Sequence, residues 1–177
     1  MKKVFLLFPF LLLFIQQAGA QGSLNARVNL GATGFVEGET YPVFGLGIEA
    51  RAARRWTIFG EFEYGFKSDG TAFGILVDRS ILSIQPGVKF YFAEALKGFN
   101  LSLFGTYAHE RMEPAYDGDI PPAAYSQDRA GIGLGVGYMT TLTNRLSLGF
   151  DTGLAQTFGD SDNGRYQFRL QIGYSFL

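Results

Sequence analysis

Seven charged side chains interrupt otherwise apolar or aromatic stretches of this 177-residue sequence: Arg27, Glu49, Glu61, Glu63, Lys89, Asp151 and Arg169. Each has a hydrophobic neighbour one position away, as in Val28, Ile48, Phe62, Phe90, Phe150 and Leu170. Four acids and three bases nearly balance. Charges withdrawn from water must pair, so this pattern predicts a packed, ion-paired network more readily than the polar lining of a gated narrow channel. The single histidine, His109, is a different kind of group, since an imidazole can serve as a general base near neutral pH. A base of that kind needs a nucleophile and an orienting carboxylate. Glu110 follows it directly and, in a strand, points to the opposite face.

Two further clusters bear on binding. Asp160-Ser-Asp162-Asn-Gly164 has a faint calcium-loop character. A true loop needs more ligands and a distant bidentate glutamate, and Asn163-Gly164 is an ordinary hairpin turn. The stretch 111–128 holds Tyr116, Asp117, Asp119 and Tyr125 among Pro114, Pro121 and Pro122. A long segment of this kind on a rigid scaffold is a natural contact surface.

The elements that position these groups are strands. In Tyr166–Phe176 every even position is large and apolar or aromatic, and every odd one is polar or glycine. Successive side chains of a strand point to opposite faces, so this segment has one greasy face and one polar face. The same alternation recurs at 24–32, 43–51, 56–67, 81–92, 99–110, 129–140 and 146–155. In 129–140, Ile132, Leu134, Val136 and Tyr138 alternate with Gly131, Gly133, Gly135 and Gly137, a glycine row with room for a long neighbour such as Arg169. Eight segments of about 9–12 residues fit the length a tilted strand needs to cross a bilayer.

The linkers alternate too. The long ones are 33–42, 68–80, 111–128 and 156–165; the short ones are 52–55, 93–98 and 141–145. The long ones hold ten carboxylates (Glu37, Glu39, Asp69, Asp78, Glu113, Asp117, Asp119, Asp128, Asp160 and Asp162), whereas Arg54, Arg55, Lys97 and Arg145 dominate the short ones. Long external loops and short periplasmic turns are the habit of membrane barrels. Trp56, Phe90, Phe92, Phe99, Tyr138, Tyr174 and Phe176 fall at one end of the strands, and Tyr41, Tyr64, Phe66, Tyr107 and Tyr166 at the other, as two aromatic girdles. Pro86 lies inside a strand and predicts a bulge or a missing ladder bond.

Composition agrees. Charged residues are 18% of the chain, below the roughly 25% of soluble domains. Aromatics reach 16%, and there is no cysteine. Lys2, Lys3, an apolar run to Ile15 and Ala18-Gly19-Ala20 read as a signal peptide over 1–20, cleaved to leave one domain at 21–177. With no cysteine after the apolar run, no lipoprotein anchor is expected. The net charge of −1 becomes −3 when the two leader lysines go, and nothing suggests nucleic acid. A soluble eight-stranded barrel of the lipocalin type is the rival fold, with inside and outside exchanged.

These strands and loops resemble the small eight-stranded outer-membrane barrel superfamily that includes the OmpA transmembrane domain and the OmpX/Ail proteins. Leu177 after Phe176 departs from the family's end signal, which closes on an aromatic, and no cell-wall-binding domain is expected. The resemblance implies an all-β, antiparallel up-and-down transmembrane barrel in a Gram-negative outer membrane. It implies a single chain that works as a monomer, is inserted by the barrel-assembly machinery, and meets outer-membrane lipid and lipopolysaccharide. No cofactor is expected. The role expected is non-enzymatic, structural or surface-interacting, through acidic external loops, with an extracellular ligand at 111–128. The alternatives are a narrow small-solute channel or a lipid A-modifying enzyme using His109. The lipid A deacylases of this barrel class carry His-x-Ser, and position 111 here is arginine. His109 is thus a weak catalytic candidate, and Asp160 and Asp162 are weak metal ligands.

Overall fold

The computed structural model describes residues 24–36, 39–70, 76–115, 125–158 and 164–176. Eight strands follow in order: β1 (Leu24–Phe35), β2 (Thr40–Arg51), β3 (Trp56–Gly70), β4 (Leu76–Tyr91), β5 (Gly98–Ala115), β6 (Tyr125–Thr141), β7 (Leu146–Phe158) and β8 (Gly164–Phe176). Each pairs antiparallel with the next, and β8 returns to β1, so the sheet closes into a barrel. Closure pairs every ladder and leaves no edge strand.

The two faces of the alternation are sorted in the sense a membrane demands. Leu134 and Leu154 are each 67% exposed on the outside, while Arg27, Glu49 and Arg169 are at most 2% exposed within. Soluble monomers rarely show apolar patches beyond a few hundred Å², whereas here the apolar surface runs round all eight strands. The soluble-barrel alternative is thereby excluded, because its interior would have to hold Leu134 and its exterior Gly133. The basic end carries a contact girdle. Trp56 and Phe90 rings lie 5.1 Å apart, Phe99 and Tyr138 5.0 Å, and Tyr174 and Phe176 5.1 Å.

Several expectations need revision. The strands run further toward the acidic end than the alternation indicated, so that 111–115 belong to β5 and 125–128 to β6. Beyond the apolar belt both faces of a strand meet polar surroundings, and the periodic signal fades although the ladder continues. Tyr41 is not in the outer girdle. It shares parity with Val43 and is fully buried in the lumen. Around Pro86 the register is the same on both sides, with Ile84 opposite Tyr107 and Gly87 opposite Phe104. The ladder skips Gln85 and Pro86 without inserting a residue, so the proline costs a ladder bond and makes no bulge.

Candidate functional site

The lumen gathers all seven charged residues singled out above. Arg27 Nη1 lies 2.5 Å from Glu49 Oε2, and its Nη2 lies 3.1 Å from Glu61 Oε1. Lys89 Nζ bridges Asp151 at 3.3 Å and Glu49 at 3.7 Å, and sits over the Phe59 ring. Arg169 donates from Nε to Asp151 Oδ1 at 2.7 Å, and its Nη1 reaches Glu63 at 3.2 Å and pairs with Glu61. Neutral donors supply further bonds. Thr57 and Tyr91 hydroxyls donate to Glu49 at 2.5 and 2.7 Å, and the Gln85 amide donates to Glu63 at 2.9 Å.

Register explains why long charged chains fit. Arg27 stands opposite Gly47 and Gly173, Arg169 opposite Gly31, Glu63 opposite Gly45, and Asp151 opposite Gly137. The glycine row of β6 serves other neighbours than Arg169. A Cβ on Gly133 would stand 2.5 Å from the Phe104 ring, and one on Gly135 would stand 2.6 Å from Ser102 Oγ.

One member of the network escaped the sequence reading. Arg165 is 2% exposed, donates to Thr106, Thr33 and Ser83 at 2.6, 2.9 and 3.0 Å, and lies 3.6 Å from Glu63. It falls one residue before the stretch assigned to β8, yet it has the inward parity of Gln167 and Arg169. With it, the fully buried charges among the described residues are Arg27, Lys89, Arg165 and Arg169 against Glu49, Glu61, Glu63 and Asp151, four of each sign. Above this layer Phe35, Tyr41, Val43, Ile81 and Ala108 pack together. The Tyr41 hydroxyl donates to Glu110, and Arg129 stacks 3.9 Å over Phe35. Below it, Asn25 donates to Ser175 and Ser147 at 3.0 and 3.3 Å. An eight-stranded interior is just filled by side chains, and this one is filled along its length by paired charge and apolar layers.

Toward the acidic end, Glu39 pairs with Lys67 and Arg79. His109 faces outward, with its Nδ1 2.7 Å from Asp128 Oδ1 on the facing strand. Of the loop residues, Tyr125 is the exposed first residue of β6, while Tyr116, Asp117 and Asp119 lie outside the described residues. So do Asp160 and Asp162, the leader 1–20 and Leu177. At the basic end, the turn between β4 and β5 is tied to the end of β2 and to the turn between β2 and β3. Ala95 N donates to Arg54 O at 3.0 Å, and Arg51 holds Glu94 at 2.7 Å. The Arg51 guanidinium holds the Glu94 carboxyl below the usual range.

A family model described as "Protein of unknown function (DUF3575)" matches residues 6–171. No curated protein matches the chain. Among solved structures, the chain is similar to Ail, the attachment invasion locus protein of Yersinia pestis, with a TM-score of 0.60 and 14% identity, over 87% of this chain and 97% of that one. It is similar to the outer membrane protein OprG from Pseudomonas aeruginosa, with a TM-score of 0.59 and 12% identity, over 88% and 96%. It is also similar to Neisserial surface protein A, with a TM-score of 0.57 and 11% identity, over 87% and 96%. Ail has been solved in complex with the heparin analogue sucrose octasulfate. At such identities the likeness is one of fold, and the fold is that of the small eight-stranded outer-membrane barrels.

Proposed function

Because the chain belongs to the DUF3575 family and has a lipid-facing barrel around a filled lumen, we propose that it is a monomeric protein of the Gram-negative outer membrane, inserted by the barrel-assembly machinery, with a structural or surface-interaction role. The observation that carries this reading is the lumen itself, with eight paired charges beneath an apolar layer. Such an interior leaves no solute path, and the work falls to the segments above the membrane. The segment between β5 and β6, residues 116–124, is the longest of these and carries Tyr116, Asp117 and Asp119 beside the exposed Tyr125. It is the proposed contact surface. The sulfated sugar bound by Ail makes sucrose octasulfate a sensible first probe, and the acidic character of the loops makes a cationic peptide the natural counter-probe.

The test replaces 116–124 with a short turn and checks folding by the altered gel migration of unboiled samples. Loss of cell adhesion or of capture of either probe supports the reading. Unchanged adhesion and capture in a folded variant would refute it. The small-solute channel has less support, and planar-bilayer recordings of the folded protein should be silent.

A further inference from the structure

The three short turns carry four exposed cations, Arg54, Arg55, Lys97 and Arg145, against one acid, Glu94, which Arg51 already holds. Arg145 is built into place. The Thr143 hydroxyl accepts hydrogen bonds from the backbone N–H groups of Arg145 and Leu146 at 3.3 and 3.0 Å. The Arg145 carbonyl accepts one from Ser175 N at 2.7 Å, which ties the turn to β8. Arg145 Nη1 donates to the Tyr174 hydroxyl at 3.0 Å. That hydroxyl keeps its own proton to donate, and the guanidinium keeps further N–H groups. Among the described residues no carboxylate pairs with Arg145, so a positive charge and two kinds of donor stand exposed together. One row further along the outer wall lies an apolar groove of about 390 Å³, within the roughly 300–1,000 Å³ of small-molecule sites. Leu148, Ile172 and Val28 stand abreast in the row next to Tyr174, and Phe150, Leu170 and Leu30 in the row beyond. Tyr138 stacks on Phe150 at 6.4 Å and closes one side. Ala26, the neighbour of Tyr174 on β1, offers only a methyl group at the end nearest Arg145.

We propose that this groove and the Arg145–Tyr174 pair form a binding site for one anionic phospholipid of the periplasmic leaflet, of the phosphatidylglycerol kind. An acyl chain lies along the six aliphatic and aromatic side chains of the two rows. The phosphodiester takes hydrogen bonds from the Arg145 guanidinium and the Tyr174 hydroxyl, and an arginine fork suits phosphate oxygens. Successive outward rows on a strand are two residues, or roughly 7 Å, apart, which leaves the glycerol ester region between that hydroxyl and the floor of the groove. Phe176 meets the Tyr174 ring edge-on at 5.1 Å and steadies it. Charge selects the headgroup. An ethanolamine headgroup would bring an ammonium group to a place where the described residues have no free carboxylate to receive it, since Glu94 is held by Arg51. A glycerol headgroup brings only hydroxyls. The inference rests on the membrane placement proposed above, with the short turns on the periplasmic side, and not on segment 116–124.

The experiment offers the full barrel in detergent equimolar phosphatidylglycerol, phosphatidylethanolamine, cardiolipin and lipid A, and counts the retained lipids by native mass spectrometry. One phosphatidylglycerol per barrel should be retained, preferred over phosphatidylethanolamine roughly tenfold, the worth of one charge-assisted contact. R145Q should remove the preference and Y174F should reduce it. R54Q/R55Q, which takes two cations from another turn of the same end, should leave it unchanged. In vesicles, phosphatidylglycerol with a photoreactive acyl chain should label 146–150 and 170–174, and L148W, which fills the groove, should abolish that labelling. Folding of each variant is checked by its unboiled gel migration. Equal retention of phosphatidylglycerol and phosphatidylethanolamine overturns the proposal. So does an unchanged preference in folded R145Q, an equal loss in R54Q/R55Q, or labelling spread evenly round the barrel. Preferred retention of cardiolipin or lipid A overturns the choice of ligand. A barrel that inserts into vesicles and captures a probe through 116–124, yet retains no phosphatidylglycerol, refutes this site and leaves the proposed function standing. Failure to insert at all overturns the membrane placement and this site with it.

Discussion

Replacing Arg169 with methionine is the most direct probe of the lumen. The swap keeps an unbranched, polarisable chain of similar reach and removes only the guanidinium. Arg169 is 2% exposed and serves three carboxylates: Asp151 at 2.7 Å, Glu63 at 3.2 Å, and Glu61. Removing one partner of a buried ion pair costs about 3–5 kcal/mol. Each of these acids keeps a second cation, because Arg27 holds Glu61 at 3.1 Å, Lys89 holds Asp151 at 3.3 Å and Arg165 approaches Glu63 at 3.6 Å. The lower end is therefore expected, about 3 kcal/mol, or roughly two decades in the unfolding equilibrium. The residual penalty is one uncompensated negative charge, so R169M/E61Q, which restores balance and leaves an amide oxygen for Arg27, should recover most of the loss. Urea unfolding in lipid vesicles, followed by the single tryptophan, Trp56 in the girdle, reads both variants. The reasoning fails if R169M costs less than about 1 kcal/mol, or if the double variant is no more stable than the single one.

Two other outcomes follow from the geometry. G133A should lose about 1–3 kcal/mol by overpacking, because its Cβ would stand 2.5 Å from the Phe104 ring and 2.8 Å from Ala155 Cβ; the same urea titration should show most of that loss cancelled in G133A/F104L. Glu94 should titrate below an ordinary glutamate because Arg51 bonds its ionised form. Its folded-state value is lowered, so its contribution to stability is present above the unfolded value of about 4.3 and disappears as pH falls through the folded one; in R51Q, carboxyl NMR should find Glu94 back in the usual range.

Within the apolar belt, strand number, parity and the seven luminal charges were legible in the sequence, since a period of two leaves each side chain only one of two faces. Legibility ended where the belt ends. Arg165 has inward parity but stood beside Asn163-Gly164, where turn chemistry masks the strand, and so the fourth cation was missed. Tyr41 was misplaced for a related reason: near a strand end its aromatic type suggested the girdle, whereas its odd position, shared with Val43, sends it inward to Glu110. Asp128 appeared only as one of ten acids in the long linkers. Its partnership with His109 depends on the register of β5 against β6, and no local pattern encodes a pairing across 19 residues.

By itself the amino-acid sequence determined the eight-stranded barrel and the outward face of its strands, because alternation is a local property and the hydrocarbon of a bilayer admits strands only as a closed sheet. Tertiary structure decided which charges meet. Ion pairing in the lumen depends on distances across a barrel whose walls come from every strand, so Arg169 finds Glu61, Glu63 and Asp151 only once closure has fixed the stagger of all eight. The same stagger sets His109 against Asp128 on the outer wall.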